Sequence, residues 1–269
     1  MKYLEYLKEL RNRLLFSFSF MFLCFLFFFL NISLVVETLT HPLYELLNNK
    51  DNNRMIFTGL PEVFVSNLKV SFFVAFLFSL PIFIIQIILF TSPALYKKEK
   101  KVFVLVSIMS IIFFFLGILF AYFFLIPMIW SFFISYESFV DGSLPIQLES
   151  RYSEYMKLTM FLLLASGLSF EFPIIIIFLT KLGIFNEYFL KKNRKFFLIG
   201  ILIFSALFTP PDIISQIGIA IPLIIFYEFS ILFIKFFFDK KVKNVFHIFM
   251  EKSGLLRKNT YILKTRKLI

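Results

Sequence analysis

Long apolar runs alternate along this chain with short segments that carry nearly all of its charge. The runs occupy residues 14–36, 70–91, 102–130, 156–180, 196–208 and 216–238. At about 1.5 Å per residue, all but the fifth are long enough to cross a hydrocarbon core of roughly 30 Å. In lipid every backbone N–H and C=O must find its partner within the segment, so each run reads as helix. The pattern predicts an all-α integral membrane protein with six transmembrane helices. The fifth and sixth spans are expected to be short; run 196–208 would reach only roughly 20 Å.

Charge in the connections sets the expected orientation. Residues 2–13 place Leu4, Leu7, Leu10 and Leu14 at helical spacing among Lys2, Lys8, Arg11 and Arg13, which predicts a short amphipathic helix on the cytoplasmic surface. The apolar run behind it is too long for a signal-peptide core and lacks a small-x-small cleavage site, so it reads as a retained first span. Lysines 97, 98, 100 and 101 follow the second span, and Lys181, Lys191, Lys192, Arg194 and Lys195 follow the fourth. Segments 37–68 and 131–155 are acid-rich instead, the first reading as an external loop with room for a short interfacial helix. The positive-inside rule then puts both termini on the cytoplasmic or matrix side. Residues 1–238 form the membrane domain, and 239–269 form a basic cytoplasmic tail suited to a lipid surface.

Proline and a few polar residues punctuate the spans. Pro42, Pro81, Pro127, Pro173 and Pro222 predict kinked helices curving around a concave face, because proline removes a backbone donor. Pro210-Pro211 forces a turn, after which Asp212 or Ser215 can cap the next helix. Glu171 stands between Phe170 and Phe172 in the fourth run. A mid-membrane acid costs roughly 2.5–3.5 kcal/mol, so it is expected to face a cavity, a partner or a pathway, the alternative being a hydrogen-bonded packing acid. Gln86, Thr209 and Gln216 are candidates for interhelical hydrogen bonds, each worth around 0.6 kcal/mol. With the short fifth run and the Pro210-Pro211 turn, Glu171 and Gln216 are expected to form a polar concave face in a thinned patch of membrane.

Composition excludes several classes of function. Hydrophobic residues make up 59% of the chain and 44 of the 269 residues are Phe, more apolar surface than a soluble domain can hide. The net charge of +11 lies mostly in alternate loops, and the aromatics lie in the spans, so nucleic acid is not an expected partner. Cys24 stands alone, and His41 and His247 are the only histidines, which argues against disulfide, metal and triad chemistry. No Gly-rich phosphate loop occurs. No cofactor, metal or catalytic residue is expected, and the chain does not read as an enzyme.

Four motifs in order carry a family resemblance. They are Lys8-Glu9-Leu10-Arg11-Asn12-Arg13-Leu14-Leu15, Pro93-Ala94-Leu95-Tyr96-Lys97-Lys98-Glu99-Lys100, Ser169-Phe170-Glu171-Phe172-Pro173, and Thr209-Pro210-Pro211-Asp212-Ile213-Ile214-Ser215-Gln216. With them the chain resembles the TatC subunit of the twin-arginine, Sec-independent protein translocase, over nearly its whole length up to about residue 238. The resemblance implies a receptor for twin-arginine signal peptides of folded precursors, in transport driven by the proton-motive force. It implies single-span TatA- and TatB-type partner subunits, self-association in a larger complex, and residence in an energised inner membrane, bacterial or mitochondrial. The family's signal-binding residues map onto Glu9, Arg11, Phe90 and Glu99. Carboxylates accept guanidinium forks bidentately, which suits Glu9 and Glu99 to an Arg-Arg ligand. Where the family often has His before the first-motif Leu and Arg in the first cytoplasmic loop, this chain has Tyr6 and only lysines, a departure that bears on fine specificity.

Plainer readings stand beside these. Glu9 can pair with Arg13 four residues on, worth about 0.3–0.5 kcal/mol; Glu99 can balance charge in a lysine-rich loop; Phe90 can pack or face lipid. Glu171 could serve a proton-coupled small-solute transporter, the alternative function. An intramembrane enzyme is disfavoured, since no Ser/His, paired-Asp or His-rich motif lies within the spans.

Overall fold

The computed structural model describes residues 2–47, 54–94, 97–135, 149–181, 185–207 and 213–237. Among them the helices are α1 (Lys2–Leu30), α2 (Ile32–Leu47), α3 (Glu62–Thr91), α4 (Lys97–Phe120), α5 (Ile126–Ser135), α6 (Tyr152–Lys181), α7 (Glu187–Lys192), α8 (Arg194–Leu207) and α9 (Ile213–Phe237). The only β pairing among the described residues is an isolated parallel bridge between Ile56 and Arg151. Five helical stretches are long and apolar enough to cross a membrane: Tyr6–Leu30, Glu62–Thr91, Phe103–Ser135, Tyr152–Thr180 and Ile213–Lys235. The sixth, α8, has 14 residues and reaches only about 21 Å. Shortness is confined to it: α9 has 25 residues, so the sixth span is not short.

Two boundaries differ from expectation. No Gly or Pro separates residues 2–13 from the first apolar run, so hydrogen bonding continues and the amphipathic segment is the first part of α1 rather than a separate surface helix. At the far end Asn31 closes α1 by donating its side-chain amide to the Phe27 carbonyl at 2.9 Å. The chain then enters α2, a 16-residue helix where a loop was the main expectation, with Val35, Leu39, Pro42 and Leu43 on its buried side. The third span carries a π turn at Ala121–Leu125, in which the Ile126 N–H reaches back five residues to the Ala121 carbonyl. Pro127 follows directly; with no N–H, and a ring that crowds the preceding turn, it favours such a widened turn.

Helix pairing follows contacts that need no water. Helices α1 and α3 run antiparallel along each other, with edge-on rings at Phe18–Phe83, Phe25–Phe72 and Phe29–Phe64. In lipid the apolar face gains nothing by leaving solvent, so ring geometry and dispersion hold such a pair. The apolar window of α1 is 6% buried and that of α6 is 50% buried, which makes α6 the axis of the bundle. Buried hydroxyls along the spans mostly turn back on their own helix, as Ser71 does to Asn67, Ser169 to Ala165, Thr180 to Ile176 and Ser230 to Phe226.

The tightest approach is between α4 and α6. A Cβ on Gly117 would stand 2.6 Å from the Ser166 carbonyl oxygen and 2.9 Å from the Gly167 Cα, and one on Gly167 would stand 2.8 Å from the Phe114 ring. The Ser166 hydroxyl donates to the Gly117 carbonyl at 2.8 Å and closes the crossing. Because the obstacle to Gly117 is backbone, it cannot rotate away. Gly117→Leu is expected to force the helices apart at a cost of more than about 1–3 kcal/mol, seen as a lowered unfolding temperature in detergent, while Gly200→Leu, which meets open space, leaves it near the parent value.

Candidate functional site

One candidate site lies at the end of the bundle where α1 begins, α3 ends and α4 begins. Glu9 and Arg13 stand one helical turn apart on α1. Arg13 donates Nε and Nη2 to Glu9 Oε1 at 3.0 and 2.6 Å and Nη1 to Gln86 Oε1 on α3 at 3.2 Å. The Glu9 and Arg13 side chains are partly exposed, at 39% and 26%. Gln86 is therefore an interhelical hydrogen-bond partner, accepting from Arg13 of α1. Arg11 points outward, its Nη2 within 3.3 Å of the Asn12 side-chain oxygen. Phe90 is half-buried on α3, one turn beyond Gln86, and Glu99 lies in the first turn of α4, its side chain outside the described residues. Helices α3 and α4 are joined by a 3-10 turn at Ser92–Ala94, so the two positions belong to one corner of the fold.

The second candidate site is a cavity of about 990 Å³ walled by α3, α4, α6, α8 and α9. Leu80, Pro81, Phe114, Leu168, Phe172 and Phe204 typify its lining, in which Ser110, Ser169 and Glu171 are the polar members. The Ser110 hydroxyl donates to Glu171 Oε2 at 2.7 Å across the α4–α6 interface. The same pair borders a smaller cavity of about 280 Å³ walled by α3, α4 and α6, so the carboxylate stands where two hollows meet. The concave face is apolar with one acid in it, not the polar face expected, because the span hydroxyls bond their own backbones and Gln216 turns to the Leu202 carbonyl of α8 at 3.4 Å. Pro81 in α3 and Pro173 in α6 withhold the N–H that the carbonyls four residues earlier would otherwise accept. Thr209, Pro210, Pro211 and Asp212 lie outside the described residues, as does the tail 239–269. Pro42 is buried inside α2 at the opposite end.

The family model for the Sec-independent protein translocase protein (TatC) matches residues 5–222. This chain belongs to the TatC family. It is 38% identical over 241 residues to the Sec-independent protein translocase protein TatC of Rickettsia prowazekii, covering 90% of this chain and 95% of that one. A TatC-like protein of Reclinomonas americana is 32% identical over 219 residues, covering 81% and 82%. A crystal structure of the twin-arginine translocase receptor TatC superposes with a TM-score of 0.67 at 31% identity, covering 86% of this chain and 98% of that one. Family membership and the apolar helices make this a multi-pass inner-membrane protein with a role in protein transport.

Ser110 and Tyr227 were not singled out in the sequence, and Glu228, a second acid within a span that is nearer the cytoplasmic end by sequence, had no partner assigned to it. Ser110 is one hydroxyl in a long apolar run, and only the α4–α6 crossing aims it at Glu171. Arg194 meets Glu228 across α8 and α9. Tyr227 is fully buried, stacked on Phe197 with centroids 5.1 Å apart, and donates to the Leu190 carbonyl at 2.7 Å, tying α7 and α8 to α9. At the opposite end Glu62 accepts from the backbone N–H groups of Thr58 and Gly59, from Ser153 and from Arg151. That contact, with a smaller one from Glu154, holds the Arg151 guanidinium above its ordinary range. The only sequence signal for these partners was an unpaired charge near a span end. Tyr227→Phe removes one buried bond at a net cost of about 1 kcal/mol; faster amide hydrogen exchange confined to α7 and the start of α8 is the expected result.

Proposed function

We propose that this chain is the receptor and core subunit of a twin-arginine translocase. It binds the signal peptides of folded precursors and organises their transport, driven by the proton-motive force, and it catalyses no reaction of its own. The observation that carries this reading is the corner formed by the start of α1, the end of α3 and the start of α4. There a surface carboxylate, Glu9, is tied through Arg13 to Gln86 near the end of α3, the helix that leads into the basic stretch whose one acid is Glu99. Two carboxylates on a rigid helical frame suit two adjacent guanidinium groups, since each accepts a fork of charge-assisted bonds. The lysine-rich connections support placing this end, with both termini, toward the cytoplasm or matrix.

The concavity serves an apolar helix rather than a dissolved solute. Its wall is hydrocarbon and aromatic, with Glu171 and Ser110 offering one polar anchor, which fits the single-span helix of a TatA- or TatB-type partner or the apolar part of a signal peptide. The 14-residue α8 beside it thins the local bilayer. Copies of this chain and lipid complete the working assembly.

A photoreactive Arg-Arg signal peptide should label the surfaces around Glu9 and Glu99, and Glu99→Lys should cut that labelling at least about tenfold, in line with replacing an attractive charge by a repulsive one in a buried-ligand contact. Unchanged labelling would count against the receptor reading, as would uptake of a small solute by the purified chain alone in liposomes. Glu171→Ala is expected to weaken crosslinking to single-span partners, and export, while peptide labelling persists. If crosslinking and export both stay at the parent level, Glu171 is a packing acid only.

A further inference from the structure

The acceptor that the receptor reading assigns to the signal peptide is already occupied. Arg13 gives two N–H donors to Glu9 Oε1 and a third to Gln86 on the neighbouring helix. We infer that Arg13 is an internal stand-in for an arginine of the ligand, holding Glu9 in the empty receptor, and that binding proceeds by exchange of one guanidinium for another. This rests on the receptor reading and adds to it a residue that sets the strength of binding.

The geometry supports exchange over simple addition. Arg13 and Glu9 are four residues apart on one helix, the spacing at which such pairs form without distortion. Gln86 reaches from α3 to take Nη1, so the guanidinium is held by two helices, yet the pair remains partly open to water. Among the described residues both Glu9 contacts fall on Oε1, which leaves Oε2 as the oxygen an incoming donor meets first. As the ligand's fork engages, Arg13 gives up Glu9 and keeps Gln86 as a resting partner, so its own charge is never left without a hydrogen bond.

Exchange has a consequence for selectivity. A ligand with a single basic side chain trades one fork for another at Glu9 and gains little there. A ligand with two adjacent arginines also reaches a second carboxylate, and the net gain comes from that second contact. Arg13 thus acts as a threshold that keeps isolated basic side chains, which are common in the connections of membrane proteins, from occupying the receptor.

The test is equilibrium binding of a fluorescent twin-arginine signal peptide, and of its single-arginine form, to the full-length protein in lipid nanodiscs. Arg13→Gln is expected to tighten twin-arginine binding about two- to fivefold, the range set by a partly exposed ion pair, and to lift single-arginine binding by a similar factor. Arg13→Lys, which keeps the charge but loses the two-donor fork on Glu9, should fall between parent and Arg13→Gln, whereas Gln86→Leu, which takes away the partner that the displaced Arg13 retains, should weaken binding. Lys8→Gln removes a charge of the same sign five residues from Arg13 and controls for general attraction. Equal tightening by Lys8→Gln would overturn the stand-in, as would no change or weaker binding with Arg13→Gln; if that variant fails to fold, Arg13→Lys decides, with tightening expected and any other result overturning it. Loss of twin-arginine binding in Glu9→Gln, with no gain in Arg13→Gln, would leave the receptor reading intact and remove only the stand-in. Twin-arginine binding that Glu9→Gln leaves unchanged would remove both.

Discussion

At the crossing of α4 and α6 two helix backbones touch, and most of the molecule's shape depends on that contact. Gly117 lies against the Ser166 carbonyl, Gly167 lies under the Phe114 ring, and one hydroxyl bonds across the seam. Lipid gives helices no hydrophobic reason to associate, so close backbone approach supplies dispersion and a hydrogen bond where larger residues would hold the axes apart. The same crossing sets the antiparallel register that brings Ser110 onto Glu171. Phe114 at the crossing and the Ser110–Glu171 pair beyond it also line the concavity, so the seam forms part of its wall.

Charge is distributed according to what lies nearby to satisfy it. Glu62, Glu9 and Glu228 each meet an arginine, and all three stand toward the ends of spans, where water and headgroups soften the cost of ionisation. Glu171 stands in the middle of α6 and meets a serine. A carboxylate with a neutral partner, at the wall of an apolar hollow, retains polar capacity for a visitor. The acids near span ends hold helices to helices; the acid within the hollow is the one that the fold leaves available.

The two candidate sites rest on different parts of the frame. The corner with Glu9 belongs to the α1–α3 pair, whose ladder of phenylalanine rings runs almost bare along the outside of the bundle. The concavity belongs to α6 and the elements gathered on it, with Tyr227 and the Arg194–Glu228 pair fastening the short α8 in place. Pairing through α3 joins the two, since that helix carries Gln86 at the corner and Pro81 in the cavity wall.

The apolar spans and the membrane location were legible from the sequence, because lipid forces backbone pairing within each segment and so makes hydropathy a direct record of local structure. The four family motifs were legible for the same reason that they are local: Glu9, Glu99 and Glu171 stand out against their immediate neighbours. What the sequence could not reveal was partnership. The spacing of Glu9 and Arg13 announced a pair, but Gln86 as its third member depends on α1 lying antiparallel on α3, and a one-turn slip would have given Arg13 a different partner. Likewise the apolar lining of the concavity, the Ser110 contact and the fastening by Tyr227 were decided only when the helices packed. Period and charge act along one helix; the choice of neighbour is made by surfaces from distant parts of the chain, and that choice exists only in three dimensions.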